Sequence, residues 1–185
     1  AVSDGVAAQL VVGDVGTVER IFGSNRYATA AAVAAKIKQG QGAAFEGVAF
    51  VASGENFPDA LAASPVAYAQ GFPVLLTKPA SLSSATEGAL SGVDTAVILG
   101  GTAAVSSNTE SQIDALPGTS VERWWGAGRY DTAVDVAEEA EAKGWAEFAY
   151  VGIASGENYP DALAGGSLVG NAGGVMLLVR KSSLP

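Results

Sequence analysis

The sequence predicts an α/β protein: a mostly parallel sheet flanked by helices, Rossmann-like in kind and built as tandem modules. Three observations predict it. Short runs rich in aliphatic and β-branched residues alternate with segments of helical pattern, which is the signature of βαβ units. Several of these runs are nearly continuous apolar stretches, as a strand covered on both faces requires. Much of the pattern also occurs twice.

In chain order, residues 26–38 form the first expected helix, with alanine at positions 28, 30, 31, 32, 34 and 35. A helix so free of bulk can approach neighbours on more than one face, so it is expected inside the protein or at a contact between modules. The run 47–52 is the first strand. Gly54 then turns the chain and Pro58 suits the first turn of a helix, with Ser53 or Asn56 as cap and Asp59 near the positive end of the dipole. The runs 73–77 and 95–99 are the next strands, each followed by a helix, and 120–124 is the fourth. Residues 129–143 repeat the first helix but carry Asp135, Glu138, Glu139 and Glu141, so one face is expected in solvent. The runs 149–154 and 174–179 complete the strands.

The duplication is explicit in the residues. Val18-Glu19-Arg20 with Gly23, Arg26 and Tyr27 returns 103 positions later as Val121-Glu122-Arg123 with Gly126, Arg129 and Tyr130. The block Ser53-Gly54-Glu55-Asn56-Phe57-Pro58-Asp59-Ala60-Leu61 returns 102 positions later as Ser155-Gly156-Glu157-Asn158-Tyr159-Pro160-Asp161-Ala162-Leu163. Ala1-Val2-Ser3, Gln9 and Leu10 match Ala104-Val105-Ser106, Gln112 and Ile113. The expected organisation is therefore a tail of a preceding repeat at 1–17, a first repeat at 18–117 and a truncated second repeat at 118–185, cut from a longer array.

Composition narrows the chemistry. The chain has neither cysteine nor histidine, which removes thiol nucleophiles, Ser-His triads, disulfides and the usual zinc ligand sets. Ten Lys and Arg stand against nineteen Asp and Glu, a net charge of -9 that disfavours a nucleic-acid partner. No apolar run approaches the roughly 20 residues that span a bilayer.

The repeated Ser-Gly-Glu-Asn-aromatic-Pro-Asp block sits where a strand's carboxyl end gives way to a helix, the usual ligand crevice of open α/β sheets. Its residues Ser53, Glu55, Asn56 and Asp59, with Asn158 and Asp161 in the second copy, are candidate ligand contacts, although turn and cap roles account for the same residues. Arg26 and Arg129 open helices, against the dipole. Their planar forks suit a carboxylate or phosphate, with a salt bridge to a neighbouring acid as the alternative, and Tyr27 or Tyr130 is placed to stack on a sugar. Arg20 and Arg123 read as structural. No Asp-x-Asp pair occurs, so two-metal phosphotransfer is not expected, and Gly100-Gly101-Thr102 lacks dinucleotide-binding spacing. No cofactor is expected.

Arg26-Tyr27-Ala28-Thr29-Ala30 and Arg129-Tyr130-Asp131-Thr132-Ala133, the Ser-Gly-x-Asn-x-Pro-Asp-Ala-Leu block, Pro73-Val74-Leu75-Leu76-Thr77 and Ile98-Leu99-Gly100-Gly101-Thr102 together resemble the family called cell wall binding repeat 2. The resemblance implies a toprim-like α/β module, usually in three tandem copies that form a pseudo-threefold unit. It also implies a secreted location at the Gram-positive cell wall and surface, and an anionic secondary wall polymer as ligand. In that family the aliphatic triplet is tied to polymer binding, which points to Val74, Leu75 and Leu76. Physically the triplet reads as a core strand. The expectation is a non-catalytic anchor whose partners are the polymer and other repeats. A self-assembling surface-layer scaffold is the alternative, and a metal-dependent hydrolase using Glu55, Asp59, Glu157 and Asp161 is a third possibility.

Overall fold

Strand by strand, the apolar runs find the parallel neighbours that their two-sided hydrophobicity requires. The computed structural model describes residues 2–11 and 17–185. Its elements are α1 (Asp4–Val11), α2 (Arg26–Gln41), β1 (Val48–Ser53), α3 (Pro58–Gln70), β2 (Val74–Thr77), α4 (Ser84–Ala89), β3 (Thr95–Leu99), α5 (Ser107–Asp114), β4 (Ser120–Trp124), α6 (Arg129–Ala142), β5 (Val151–Ser155), α7 (Pro160–Asn171) and β6 (Val175–Val179). Four strands form a parallel sheet in the order β2-β1-β3-β4, and β5 and β6 form a second parallel pair. The architecture is thus mixed α/β with parallel sheets and flanking helices.

The four-stranded sheet is covered on both faces. Ala49, Val51, Leu75, Ala96 and Ile98 meet Ala34 of α2, Leu90 and Val93 beyond α4, and Ile113 of α5. Phe50, Ala52, Val97, Leu99 and Trp124 face a second core shared with α3, α6, α7 and β6. There Phe50 contacts Phe72 and Trp124 edge-on, at centroid distances of 6.0 and 5.7 Å. Because this core takes Ala154, Val169, Met176 and Leu178 from the second copy, the two copies share one hydrophobic interior.

The copies are built alike. Val51 lies opposite Leu75 in the first, as Ile153 lies opposite Leu177 in the second. α1 sits 103 positions before α5, and Arg20 donates to the Val2 carbonyl as Arg123 donates to that of Val105. Of the segment 1–17 assigned to a preceding repeat, Ala1 and residues 12–16 lie outside the described residues.

α3 forms the junction, packing against α6, α7 and β6. Close approach there depends on glycine: a Cβ on Gly170 would lie 2.4 Å from the Pro65 carbonyl oxygen, and one on Gly166 would lie 2.3 Å from Ser64 Oγ. The structure corrects the expectation about the alanine-rich helix. α2 buries only Ala34, whereas α6 buries Thr132, Ala133, Val136, Ala137 and Ala140. α6 rests on α3 of the preceding copy, and no described helix stands in that place for α2. Glu138, Glu139 and Glu141 are exposed as expected. Among the described residues no helix is long and apolar enough to cross a membrane.

Candidate functional site

The carboxyl ends of the strands carry the repeated loops, and each loop is fixed by its own hydrogen bonds. β1 ends at Ser53, whose Oγ accepts from the Glu55 N–H at 3.2 Å, while the Gly54 N–H donates to the Thr77 carbonyl at 2.8 Å. In the second copy Ser155 Oγ accepts from the Glu157 N–H at 3.2 Å, and the Gly156 N–H donates to Val179 at 2.9 Å. These turns displace the expected caps. α3 and α7 begin at Pro58 and Pro160 behind Phe57 and Tyr159, with no side-chain cap, because Ser53 is already committed to the turn. Asn158 Oδ1 accepts from the adjoining Tyr159 N–H at 3.0 Å. The side-chain cap lies upstream, where Asn25 Oδ1 accepts from the Ala28 N–H at 3.0 Å.

The arginines that open α2 and α6 have a local partner after all, a carbonyl in place of the acid that was the alternative. Arg26 Nη1 donates to the Gly54 carbonyl and Arg129 Nη1 to that of Gly156. The rings of Tyr27 and Tyr130 sit against these same glycines: a Cβ on Gly54 would lie 2.5 Å from Tyr27 Cε1, and one on Gly156 would lie 2.6 Å from Tyr130 Cε1. Arg180 lies over the Tyr130 ring, 5.5 Å from its centroid. Each Arg-Tyr pair thus buttresses its loop, and glycine is required because any side chain would strike the ring.

Two clefts result. One of about 430 Å3 is lined by Arg26, Ser53, Glu55, Asn56 and Leu76, closed on one side by Phe57 and Tyr159, whose rings meet edge-on at 5.7 Å. The other, of about 200 Å3, lies between the copies. Asn56, Asp59, Ala103 and Ala104 of the first copy face Arg129 of the second. The Arg129 guanidinium carbon is 5.8 Å from the Phe57 ring centroid. Burial pushes the Asp59 carboxyl above its ordinary range, and the charge of Arg129 pulls it part of the way back. The Asp59 carboxylate rests against Gly100, whose φ of +90° and lack of a side chain admit it.

The 100–105 turn that walls this second cleft is held by Arg123. That side chain donates to the Gly100 carbonyl at 2.6 Å and the Val105 carbonyl at 2.9 Å, and pairs with Glu110 at 3.0 Å. The structural reading of Arg123 therefore extends to supporting the site. Asn56 borders both clefts. Asp161 and Asn158 are exposed on the second loop, while Leu75 is fully buried on the opposite face of β2 from Leu76. Sequence reasoning did not pair Arg129 with Asp59; they are separated by most of one repeat, and no local pattern records contacts at that range. Among the described residues no three acidic side chains gather so as to hold a metal ion.

A family model described as cell wall binding domain 2 matches residues 20–110 and again residues 123–185. The chain is 38% identical over 170 residues to an N-acetylmuramoyl-L-alanine amidase, LytC, of Bacillus subtilis, covering 91% of this chain and 32% of the amidase. It is 30% identical over 170 residues to an amidase enhancer of the same organism, covering 92% of this chain and 22% of that protein. Among solved structures it resembles Cwp8 from Clostridium difficile, with TM-score 0.80, 26% identity and coverage of 98% of this chain and 30% of Cwp8. Cwp6 from the same organism gives TM-score 0.76 at 24% identity, covering 92% of this chain and 28% of Cwp6.

Proposed function

This chain belongs to the cell wall binding domain 2 family and is a cell-wall-binding module, and from that premise we propose how it binds and what it serves. It attaches a secreted surface protein non-covalently to an anionic secondary polymer of a Gram-positive wall. We take its organisation as a first repeat at 18–117 and a second at 118–185, with 1–17 belonging to another. We read the module as toprim-like, on the strength of its parallel four-stranded sheet covered by helices on both faces.

The observation that carries this reading is the placement of Arg129. Its own copy holds it by the Gly156 carbonyl while it faces Asn56 and Asp59 of the other copy across a cleft at the strand ends. An arginine fixed on one side presents the rest of its fork as a preorganised anion site. Arg26 borders the larger cleft with Ser53, Glu55, Asn56 and Leu76. Several weak sites on one chain raise apparent affinity through effective concentration.

The same residues support binding without catalysis. The clefts offer arginine, asparagine and isolated carboxylates, but no histidine or cysteine and no carboxylate pair set for two-metal chemistry. The chain spans less than a third of either Bacillus relative, and we assign the activities those names carry to the parts it does not span. A second reading, a surface scaffold that binds protein neighbours, is favoured by the outward leucines of α7, Leu163 and Leu168.

The test is co-sedimentation of the chain with purified walls, before and after their secondary polymers are stripped, beside an Arg26→Ala/Arg129→Ala variant. Binding that disappears on stripping and weakens at least tenfold in the variant supports the reading. Binding indifferent to stripping sinks it, and concentration-dependent light scattering without polymer would favour the scaffold.

A further inference from the structure

Trp125 is more than half exposed, at 55%, directly after β4. The other tryptophans differ: Trp124 is buried, and Trp145 is half-buried against Phe72 and Trp124. The corresponding aromatic in the first copy, Phe22, is exposed as well, at 66%. The residue before each is Ile21 in one copy and Trp124 in the other, and the exposed position is aromatic both times. Both rings keep more than half of their surface open, so burial does not account for that.

The location is specific. A Cβ on Gly101 would lie 3.4 Å from Trp125 Cε3, so the indole lies on the backbone of the two-glycine turn. The neighbouring Gly100 of that turn receives the Asp59 carboxylate, and Ala103 and Ala104 wall the cleft in which Asp59 faces Arg129. Trp125 and Asp59 therefore sit on one short turn, and Arg129 follows Trp125 by four residues at the opening of α6. The rings of Tyr27 and Tyr130, the first candidates to stack on a sugar, each have one edge packed against Gly54 or Gly156.

Resting on the wall-anchoring reading, we propose that Trp125 is a saccharide platform at the rim of the Asp59–Arg129 cleft. It takes the apolar face of a pyranose ring of the wall polymer while Arg129 engages an anionic substituent and Asn56 the hydroxyls. A rigid aromatic ring supplies contact area at small entropic cost, and the adjacent arginine supplies direction. Phe22 is its counterpart in sequence, with Arg20 lying 5.4 Å over its ring.

The experiment compares the whole chain with its Trp125→Ala and Trp125→Phe variants for binding to purified walls, untreated and periodate-treated. Periodate opens sugar rings bearing vicinal diols and leaves phosphate and carboxylate charge in place. Trp125→Ala is expected to lose about tenfold in affinity for untreated walls with its urea midpoint unchanged. Trp125→Phe keeps most of the affinity, and periodate lowers wild type to the level of Trp125→Ala without weakening that variant further. If Trp125→Ala binds untreated walls as wild type does, or periodate leaves wild-type binding intact, the platform is overturned while the anchoring reading stands. If wild type itself does not bind untreated walls, both fall together.

Discussion

β1 and β5 are the same strand twice, yet one is buried along its length and the other is only partly covered. Val51 of β1 has no solvent exposure, whereas Ile153, its counterpart, is 67% exposed. β1 runs between β2 and β3, while among the described residues β5 pairs only with β6. The helices that follow repeat the contrast: Leu61 and Val66 of α3 are 7% and 1% exposed, against 62% and 64% for Leu163 and Leu168 of α7. α3 is covered by α6, α7 and β6, which come from the next copy. A residue's energetic weight in this chain is thus set by which elements cover it: those of its own copy at Val51, and those of the next copy as well at Leu61 and Val66.

The largest effect that sharpens this comparison is a buried charge. Val51→Asp is expected to cost more than about 4 kcal/mol and to abolish cooperative unfolding, while Ile153→Asp stays within about 1 kcal/mol of wild type, both read from urea denaturation. Equal costs at the two positions would break the comparison. The helices give a second contrast with the same assay. Leu61→Ala should lose about 2–4 kcal/mol, and Leu163→Ala no more than about 0.5 kcal/mol.

Gly170→Ala tests the junction itself. The added methyl meets the Pro65 carbonyl and forces α3 and α7 apart, for an expected loss of about 1–3 kcal/mol and a lower thermal midpoint. An unchanged midpoint would mean that the close approach of the two helices is unimportant. The smallest effect is electrostatic. Burial raises the Asp59 pKa, so the folded chain holds that proton more tightly than the unfolded one, whose carboxyl titrates near 3.8. The associated stability is complete below that value and is lost as pH rises through the raised pKa. Asp59→Asn should therefore flatten the pH dependence of the urea midpoint in that window and leave the chain at least as stable as wild type at pH 7. A variant less stable at neutral pH would show that the ion attraction of Arg129 outweighs desolvation.

Much of the architecture was legible without coordinates. The six expected strands became β1 to β6 with ends shifted by at most two residues, and in β1 and β3 two-sided burial left the continuous apolar pattern that marks them. The strand-end loops and the arginines beside them were also found, since glycine, proline and a duplicated spacing mark them. The caps were misread: Ser53 and Asn56 have the chemistry to cap α3, but a turn bond inside the loop claims the serine first. Alanine content misjudged α2 for a related reason. Small side chains permit close packing without saying whether a partner arrives.

The sequence by itself determined the duplication, the strand and helix order, the absence of thiol and imidazole side chains, and the position of the strand-end loops. Tertiary structure alone decided which copy of each residue is buried, that Arg129 faces Asp59 across a cleft, and that Trp125 stays more than half exposed against the neighbouring turn. The physical reason is range. A local pattern records that a face needs covering and that a turn needs glycine. Which element supplies the cover, and which side chains meet across it, is settled only when segments distant in the chain compete for the same surface.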